Sequence, residues 1–259
     1  MGLVQGLTEF LPISSSAHLS LTPYLLGWDA PGLAFDVALH SGTLIAVLWF
    51  FRKEWIELTR AAWNIIRTRR VETIEEKRAV FLVLATIPGA VGGLLLEEKA
   101  ETVFRAPTLT AVALIVMGIV LWATDRFSSQ ERPLGHMNWV HALLIGLAQV
   151  VALVPGVSRS GSTITAARAL QFDRQSAAVF SFLMSMPITA AAIVMKGREA
   201  MTGGDLGMLV LVGVISAAVS AWLAISVLLK YVSSRSYGIF ALYRVVVGVS
   251  VLVFLFTRG

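Results

Sequence analysis

The stretch TEFLPISSSAHLSL, residues 8–21, sets a glutamate, a proline, three consecutive serines and a histidine in an otherwise apolar segment. A second apolar segment is interrupted in the same way by VPGVSRSGS, residues 154–162. Each half-segment has about 11 to 16 residues, which at 1.5 Å per residue reaches roughly half to three quarters of the way across a hydrocarbon core about 30 Å thick. We therefore predict two broken re-entrant hairpins, residues 2–27 and 139–170, whose breaks line one buried polar space.

Apolar runs dominate the rest of the chain. Hydrophobic residues make up 56% of the 259 residues and charged residues 14%, whereas about 25% of a soluble domain is charged. Runs about long enough to cross the hydrocarbon core lie at residues 35–51, 79–96, 107–124, 176–195, 206–229 and 237–257. The sequence thus predicts an all-α polytopic membrane protein with six transmembrane helices and two broken re-entrant hairpins.

The two broken segments resemble each other when one is shifted by 144 residues. The shift superposes Gly2, Leu3, Gln5, Ser14 and Ser16 on Gly146, Leu147, Gln149, Ser158 and Ser160. Three predicted spans follow each broken segment, and an odd number of spans forces the two halves to insert with opposite orientations. We predict a single membrane domain, residues 1–259, made of two inverted repeats, residues 1–130 and 131–259.

The basic residues favour one orientation in the membrane. Alternating spans place 13 of the 21 lysines and arginines on one face and five on the other, so the first face is predicted to be cytoplasmic and both termini to lie outside. Eight basic residues lie in the loop 52–78, where Trp55, Ala62 and Ile66 recur at helical spacing. We predict an interfacial amphipathic helix there rather than a nucleic-acid site. The absence of cysteine excludes disulfides and thiol catalysis.

The first break carries candidate groups for bond cleavage. Glu9 is an acid in an apolar segment, and ionisable groups inside a membrane generally face a cavity or a partner. Gln5 lies one helical turn earlier on the same face. One of the three serines after Pro12 is expected to cap the next helix, which leaves a hydroxyl such as that of Ser15 for chemistry. His18 follows at helical spacing, so its ring could reach a serine hydroxyl or the atom that this hydroxyl attacks.

The second break carries candidate groups for holding an anion. Arg159 lies at predicted membrane depth between two serines, and a short helix follows it. A guanidinium, hydroxyls and the N–H groups of a helix start together suit a phosphate. The alternative is an arginine that only satisfies helix carbonyls. The hydroxyls that we assign to phosphate binding are those of Ser14, Ser158, Ser160 and Thr163.

Four further residues in the apolar runs are interpreted as structural. They are Asp36, His40, Arg168 and Arg244. Asp36 and His40 stand one helical turn apart, which predicts a mutual pair. Arg244 needs a partner that the sequence does not identify.

The two breaks together predict a site for phosphoryl chemistry near the membrane midplane. Its predicted catalytic residues are Glu9, Ser15, His18 and Arg159. The spacing leaves the nucleophile open between Ser15 with Glu9 or His18 as base, His18 itself, and a water activated by Glu9 and a cation.

These residues resemble a known family, the bacterial undecaprenyl-pyrophosphate phosphatases of the bacitracin-resistance type. The resemblance covers the whole chain. The family's first motif is a glutamate or glutamine, three residues and a glutamate, followed by serine and histidine positions. The matching residues here are Gln5, Glu9, Ser14, Ser15 and His18. The second motif, PGxSRSxxT, is complete at residues 155–163.

The resemblance implies hydrolysis of undecaprenyl pyrophosphate to undecaprenyl phosphate and inorganic phosphate, at the outer face of the bacterial cytoplasmic membrane. That reaction returns the lipid carrier to peptidoglycan synthesis. It also implies a divalent cation, Mg²⁺ or Ca²⁺, which Glu9 with Gln5 would hold together with pyrophosphate oxygens. The expected partners are the polyprenyl pyrophosphate substrate and the lipid bilayer, without nucleic acid, and the sequence leaves a homodimer open.

A transport function is the alternative. Inverted repeats and broken helices suit a flippase or transporter of a phosphorylated lipid equally well, and anion binding by Arg159 fits both functions. A carrier has no need of Ser15 beside Glu9 and His18, so these residues favour an enzyme.

Overall fold

The computed structural model describes residues 1–29, 32–101, 106–202 and 207–258, and this part of the chain is almost entirely helical. The helices found there are α1 (Gly2–Phe10), α2 (Ser15–Leu26), α3 (Gly32–Phe50), α4 (Arg52–Thr68), α5 (Ile74–Glu101), α6 (Pro107–Phe127), α7 (Trp139–Val151), α8 (Arg159–Ala169), α9 (Arg174–Thr202), α10 (Met208–Val232) and α11 (Gly238–Arg258). A short 3₁₀ turn, Leu134–His136, precedes α7.

Each predicted break separates two short helices. Residues 11–14 separate the 9-residue α1 from the 12-residue α2. Residues 152–158 separate the 13-residue α7 from the 11-residue α8. Pro12 and Pro155 lie within these breaks, and proline has no N–H group with which to continue a helical ladder. The broken segments predicted from the sequence are confirmed.

Five of the described helices are long and apolar enough to cross a membrane, namely α5, α6, α9, α10 and α11. The remaining predicted span, residues 35–51, corresponds to α3. Its described apolar part is short, and it reaches the length of a span only together with α4, from which it is bent by 83°. The sequence therefore predicts a polytopic helical protein correctly, with five or six candidate spans depending on this bent pair.

Helix α4 is the amphipathic helix predicted in the loop 52–78. Its Leu58 and Ala61 are buried, and α4 packs against α5. Ile56, Trp63 and Ile66 are exposed. Because the chain bends by 83° after α3, the axis of α4 is nearly perpendicular to that of α3.

A short helix of each half of the chain packs against a long helix of the other half. Helix α1 lies against α10, and α7 lies against α5. Glycines allow this close approach, because a Cβ atom on Gly6 would overlap the Ala217 carbonyl and one on Gly146 would overlap the backbone of Ala85. This packing brings both breaks into the interior of the molecule.

A buried ionic network joins the C-terminal end of α6 to α8 and to the starts of α9 and α11. Asp125 at the end of α6 accepts from Arg168 Nε at 2.9 Å and from Arg174 Nε at 2.9 Å. Arg168 is fully buried and also donates to backbone carbonyls, including that of Ser128 at 3.0 Å. Asp125 further accepts the backbone N–H of Tyr237 at 3.0 Å. These bonds support the interpretation of Arg168 as a structural residue.

Candidate active site

The two breaks meet inside the protein. The backbone N–H of Gly156 donates to the Ser14 hydroxyl at 3.1 Å. The Ser160 hydroxyl donates to the Leu11 carbonyl at 3.0 Å. These bonds join residues about 140 to 150 positions apart in sequence, so the convergence of the breaks predicted from the sequence is confirmed.

Ser14 and Ser158 begin α2 and α8 in the same way. Both have positive φ angles, 75° and 73°, a region that non-glycine residues occupy at a cost of roughly 1–3 kcal/mol. Their hydroxyls accept the N–H groups of Ala17 at 3.4 Å and Gly161 at 3.1 Å, which are N-cap bonds. The residue that follows each cap is the first of its helix, Ser15 in one and Arg159 in the other.

Glu9 lies in the last turn of α1 and is buried. Its Oε1 atom forms an ion pair with Arg159. Its Oε2 atom accepts from the Ser15 hydroxyl at 2.5 Å and from Gln5 Nε2 at 3.0 Å. The carboxylate is thus held by residues from α1, α2 and α8, and it brings three of the predicted catalytic residues together.

Arg159 connects Glu9 to α9. Its Nη1 atom donates to the Thr189 hydroxyl at 2.7 Å and to the Ser185 carbonyl at 3.3 Å. Its side chain remains 23% exposed, against 5% for Glu9, so the guanidinium is the more accessible partner of the pair. The sequence analysis did not identify Thr189 and Ser185 as site residues. Their position on either side of Pro187, in an otherwise apolar helix, could have indicated them.

His18 is directed away from the Ser15–Glu9 contact. Its Nδ1 atom is 2.7 Å from the Ser14 carbonyl oxygen, and its Nε2 atom is 2.7 Å from the Tyr243 hydroxyl. The two rings also stack, with centroids 5.7 Å apart. The ring therefore contacts no serine hydroxyl in this structure, because both ring nitrogens are engaged elsewhere, and its contact with the atom under attack stays a prediction.

His40 is the histidine that approaches Glu9. Its Nε2 atom is 3.8 Å from Glu9 Oε2, and its Nδ1 atom is 2.7 Å from the backbone carbonyl oxygen of Asp36. The contact between Asp36 and His40 predicted from the sequence thus includes a hydrogen bond between the His40 ring and the Asp36 main chain. The other ring nitrogen, Nε2, faces Glu9. The only feature of the sequence that could have pointed to His40 as a site residue is that it is a histidine within an apolar helix.

The hydroxyls predicted to bind phosphate make protein bonds in this structure. The two caps, Ser14 and Ser158, hold the helix starts, and Ser160 joins the breaks. The Thr163 hydroxyl donates to the Arg159 carbonyl at 2.8 Å and is 2.7 Å from the Ser181 hydroxyl. Their contact with phosphate stays a prediction.

Arg244 of α11 is fully buried and holds both breaks. Its Nη1 atom donates to the Pro12 carbonyl at 3.0 Å. Its Nη2 atom donates to the carbonyls of Gly156 and Val157 at 2.7 and 2.8 Å. Nε donates to the Leu114 carbonyl at 3.3 Å. The partners that the sequence left unidentified are therefore mainly backbone carbonyls of the two breaks, those of Pro12, Gly156 and Val157, and a buried carbonyl outside a helix needs such a donor.

Replacing Arg244 with glutamine should destabilise the protein. An unpaired buried carbonyl costs roughly 1–3 kcal/mol, and the shorter amide cannot serve all four carbonyls. We expect the midpoint of thermal unfolding in detergent, followed by tryptophan fluorescence, to fall by about 5 °C or more. The matched control is Arg126→Gln at an exposed arginine, and equal unfolding midpoints for the two variants would contradict the role given to Arg244.

The arrangement around Glu9 suits phosphoryl transfer. A hydroxyl that donates to a fixed carboxylate is a nucleophile next to a general base. The accessible guanidinium of Arg159 beside them can hold phosphoryl oxygens through its planar fork of donors. The site therefore contains the types of group that phosphoryl transfer requires, namely a hydroxyl, a carboxylate beside it and an accessible guanidinium.

Two oxygen donors at the site fit a hard divalent cation. Among the residues that the structure describes, no three histidine, aspartate or glutamate side chains converge as metal ligands. The Oε1 atom of Gln5, however, is buried without a hydrogen-bond partner in that part of the chain, and Gln5 contacts the Glu9 carboxylate. Carboxylate and amide oxygens are ligands of Mg²⁺ and Ca²⁺, so the residues fit a cation that takes its other ligands from elsewhere.

Comparison with known proteins gives one consistent result. The family model described as bacitracin resistance protein BacA matches residues 1–250. Three similar proteins are each named undecaprenyl-diphosphatase. That of Gemmatimonas aurantiaca is 58% identical over 258 residues, covering 100% of this chain and 97% of its own. The protein of Pelotomaculum thermopropionicum is 51% identical over 253 residues, which cover 98% of this chain and 94% of that protein. The protein of Desulforudis audaxviator is 48% identical over 259 residues, which cover 100% of this chain and 97% of that protein.

Proposed function

The chain belongs to the bacitracin resistance protein BacA family, and from that membership and the paired breaks we propose that it is an undecaprenyl-diphosphatase. It hydrolyses undecaprenyl pyrophosphate to undecaprenyl phosphate and inorganic phosphate, and so recycles the lipid carrier of peptidoglycan synthesis. The observation that carries the assignment of the site is the Ser15 hydroxyl, 2.5 Å from a Glu9 carboxylate that is paired with Arg159.

Ser15 is the nucleophile in this proposal. Its Oγ atom attacks the terminal phosphorus, and its proton passes to Glu9 Oε2. The bond between that phosphorus and the bridging oxygen breaks, which releases the lipid monophosphate. Glu9 gives this proton up to the departing lipid phosphate or to water and becomes a carboxylate again. It then deprotonates a water that attacks the phosphoserine, and it returns that proton to Ser15 Oγ as the Oγ–phosphorus bond breaks and inorganic phosphate leaves. The 2.5 Å contact between Ser15 and Glu9 favours this route over attack by His18, whose ring nitrogens are bound to Ser14 and Tyr243.

Arg159 binds the terminal phosphoryl group. Phosphoryl oxygens replace Glu9 as the acceptor of its Nη2 group, which leaves the carboxylate available to accept the serine proton. Thr189 keeps the guanidinium oriented through Nη1. The His40 ring lies beside this carboxylate, with its Nε2 atom 3.8 Å from Glu9 Oε2, which is beyond direct hydrogen-bond distance.

The remaining predicted residues have supporting roles. His18 with Tyr243 borders the exposed side of the site. Ser14, Ser158, Ser160 and Thr163 fix the breaks, and we retain them as candidate contacts for phosphate. A divalent cation, Mg²⁺ or Ca²⁺, would be held by Glu9, Gln5 and substrate oxygens. It would neutralise negative charge on the pyrophosphate.

Release of phosphate from a polyprenyl pyrophosphate by the purified protein in detergent tests the function. We expect phosphate to appear with multiple turnovers, and excess chelator to slow the reaction. Full activity in excess chelator would remove the cation from the mechanism. Movement of the lipid across vesicle bilayers without phosphate release would instead favour the flippase or transporter, which has no use for a serine placed on a carboxylate.

The membrane arrangement is part of the same proposal. Helices α3, α5, α6, α9, α10 and α11 cross a bacterial cytoplasmic membrane, and the pairs α1–α2 and α7–α8 form re-entrant hairpins in two inverted repeats. The split of basic residues supports an orientation with both termini outside, and in this proposal the site opens to that periplasmic side. The matching caps at Ser14 and Ser158 support the repeat. A homodimer stays a prediction that sedimentation in detergent would test.

Cysteine labelling should reveal the proposed orientation. The chain contains no cysteine, so single cysteines at the exposed positions Arg235 and Asp29 can be labelled selectively. In intact cells a membrane-impermeant maleimide should label Asp29→Cys, whereas Arg235→Cys should react only after the membrane is permeabilised. Labelling of both variants in intact cells would contradict the orientation.

A further inference from the structure

Three basic residues form a row along α4. Lys53, Arg60 and Arg67 are spaced seven residues apart, and seven residues make nearly two helical turns, so the three side chains share one face. All three are exposed. Within the described part of the chain, none of them has an ion pair or a side-chain hydrogen bond, and neither does the Glu57 side chain that borders them. The charges of this basic row are therefore available to a partner.

Exposed apolar side chains lie beside the basic row. Ile56 lies three residues after Lys53 and four before Arg60, and Trp63 lies in the same relation to Arg60 and Arg67. Residues at these spacings are neighbours on a helix surface. Ile56 is 50% exposed and Trp63 is 68% exposed. The outer face of α4 thus alternates basic groups with large apolar groups.

The opposite face of α4 is already used. Leu58 and Ala61 are buried, where α4 packs on α5. The 83° bend after α3 turns the helix aside from the direction of α3. If α3 crosses the bilayer, a helix bent to this extent runs along its surface, with one face on the protein and the other toward the lipid headgroups.

We propose that the outer face of α4 is a binding surface for anionic phospholipid headgroups, with the basic row on the phosphates and Ile56 and Trp63 between the acyl chains. Charge complementarity identifies the occupant, because the row presents three exposed cationic groups and only one carboxylate, that of Glu57, lies beside them. Its groups are separated by about 10 Å along the helix, which is too far for one phosphate but suits separate headgroups. Apolar side chains between the charges favour a membrane over a soluble polyanion.

Electron spin resonance of spin-labelled lipids tests this surface in the whole protein. The protein is reconstituted in phosphatidylcholine vesicles, and the association of labelled phosphatidylglycerol is compared with that of labelled phosphatidylcholine. We expect at least about a twofold preference for phosphatidylglycerol, falling as salt is raised. The triple variant Lys53→Gln, Arg60→Gln, Arg67→Gln should lose this preference.

Two further variants make the measurement specific. Arg126→Gln, Lys230→Gln and Arg235→Gln together remove the same charge from exposed residues outside α4, and this control should keep the preference. Arg60→Lys with Arg67→Lys keeps the charge of the row and should also keep it. A preference that survives in the α4 triple variant, or that disappears equally in the control triple variant, overturns the proposal. The measurement does not depend on phosphatase activity.

Discussion

Replacing Ser15 with alanine is expected to lower kcat for phosphate release by about a thousandfold or more. The change removes the proposed nucleophile and the hydroxyl that donates to Glu9 at 2.5 Å. The side chain is not a cap, since Ser14 provides the N-cap bond of α2, so the fold should persist. Initial rates with a polyprenyl pyrophosphate, normalised to folded protein, measure the effect.

Ser16→Ala is the matched control for this variant. Ser16 is the next residue in the same helix and is exposed, and its hydroxyl lies 3.2 Å from that of Ser14 rather than on Glu9. We expect its kcat to stay within about threefold of the wild-type value. If Ser15→Ala and Ser16→Ala turn over equally fast, the nucleophile lies elsewhere in the site.

Replacing Arg159 with lysine is expected to lower kcat by roughly a hundredfold or more, by analogy with the loss of one donor to a charged transition state. A guanidinium can hold two oxygens of one phosphoryl group at once, and an ammonium group cannot reproduce that fork. Lysine would also lose part of the contact with Thr189 and Ser185 that orients the side chain. The rate and the thermal stability in detergent should be measured on the same preparation.

Arg168→Lys is the control, in the same helix. Arg168 binds Asp125 and backbone carbonyls at the end of the helices, so lysine there should lower the unfolding temperature while leaving the turnover of the folded fraction nearly unchanged. Near-normal turnover in Arg159→Lys, or a loss of activity that unfolding explains fully, would make Arg159 a structural residue.

The sequence predicts the helices well because helix formation and breakage depend on local residues. Proline and serine clusters mark both breaks, and long apolar runs mark five of the spans. A span that ends at residue 51 and an interfacial helix in the following loop are consistent with the bend at Phe51, but the sequence does not give its angle of 83°. The packing of α1 on α10 and of α7 on α5 also depends on contacts between segments far apart in the sequence. The spacing of residues along the chain does not determine such contacts.

The candidate site shows the same division between local and distant contacts. Chemistry identified Glu9, Ser15 and Arg159, and the structure brings these three together. Helical spacing suggested that His18 reaches a serine hydroxyl, but its Nε2 atom binds Tyr243, a residue 225 positions away. His40 and the carbonyl partners of Arg244 come from distant segments in the same way, so no short motif reveals them.

The two breaks contribute different groups from matching places. Ser15 and Arg159 are 144 residues apart, and each is the first residue of a helix capped by a serine with positive φ. The position that matches Glu9 is Leu153, so only the first break carries the acid. One local fold, used twice, thus presents the proposed nucleophile from one side and the proposed phosphate-binding arginine from the other.

The location of a phosphorylated intermediate tests the central claim most directly. The protein is mixed with a polyprenyl pyrophosphate labelled with ³²P in its terminal phosphate, quenched within the first turnover and digested. We predict label in the peptide that contains Ser15, as phosphoserine, and its absence in Ser15→Ala. Label on His18, or turnover during which no protein residue becomes labelled, would contradict the mechanism built on Ser15, Glu9 and Arg159.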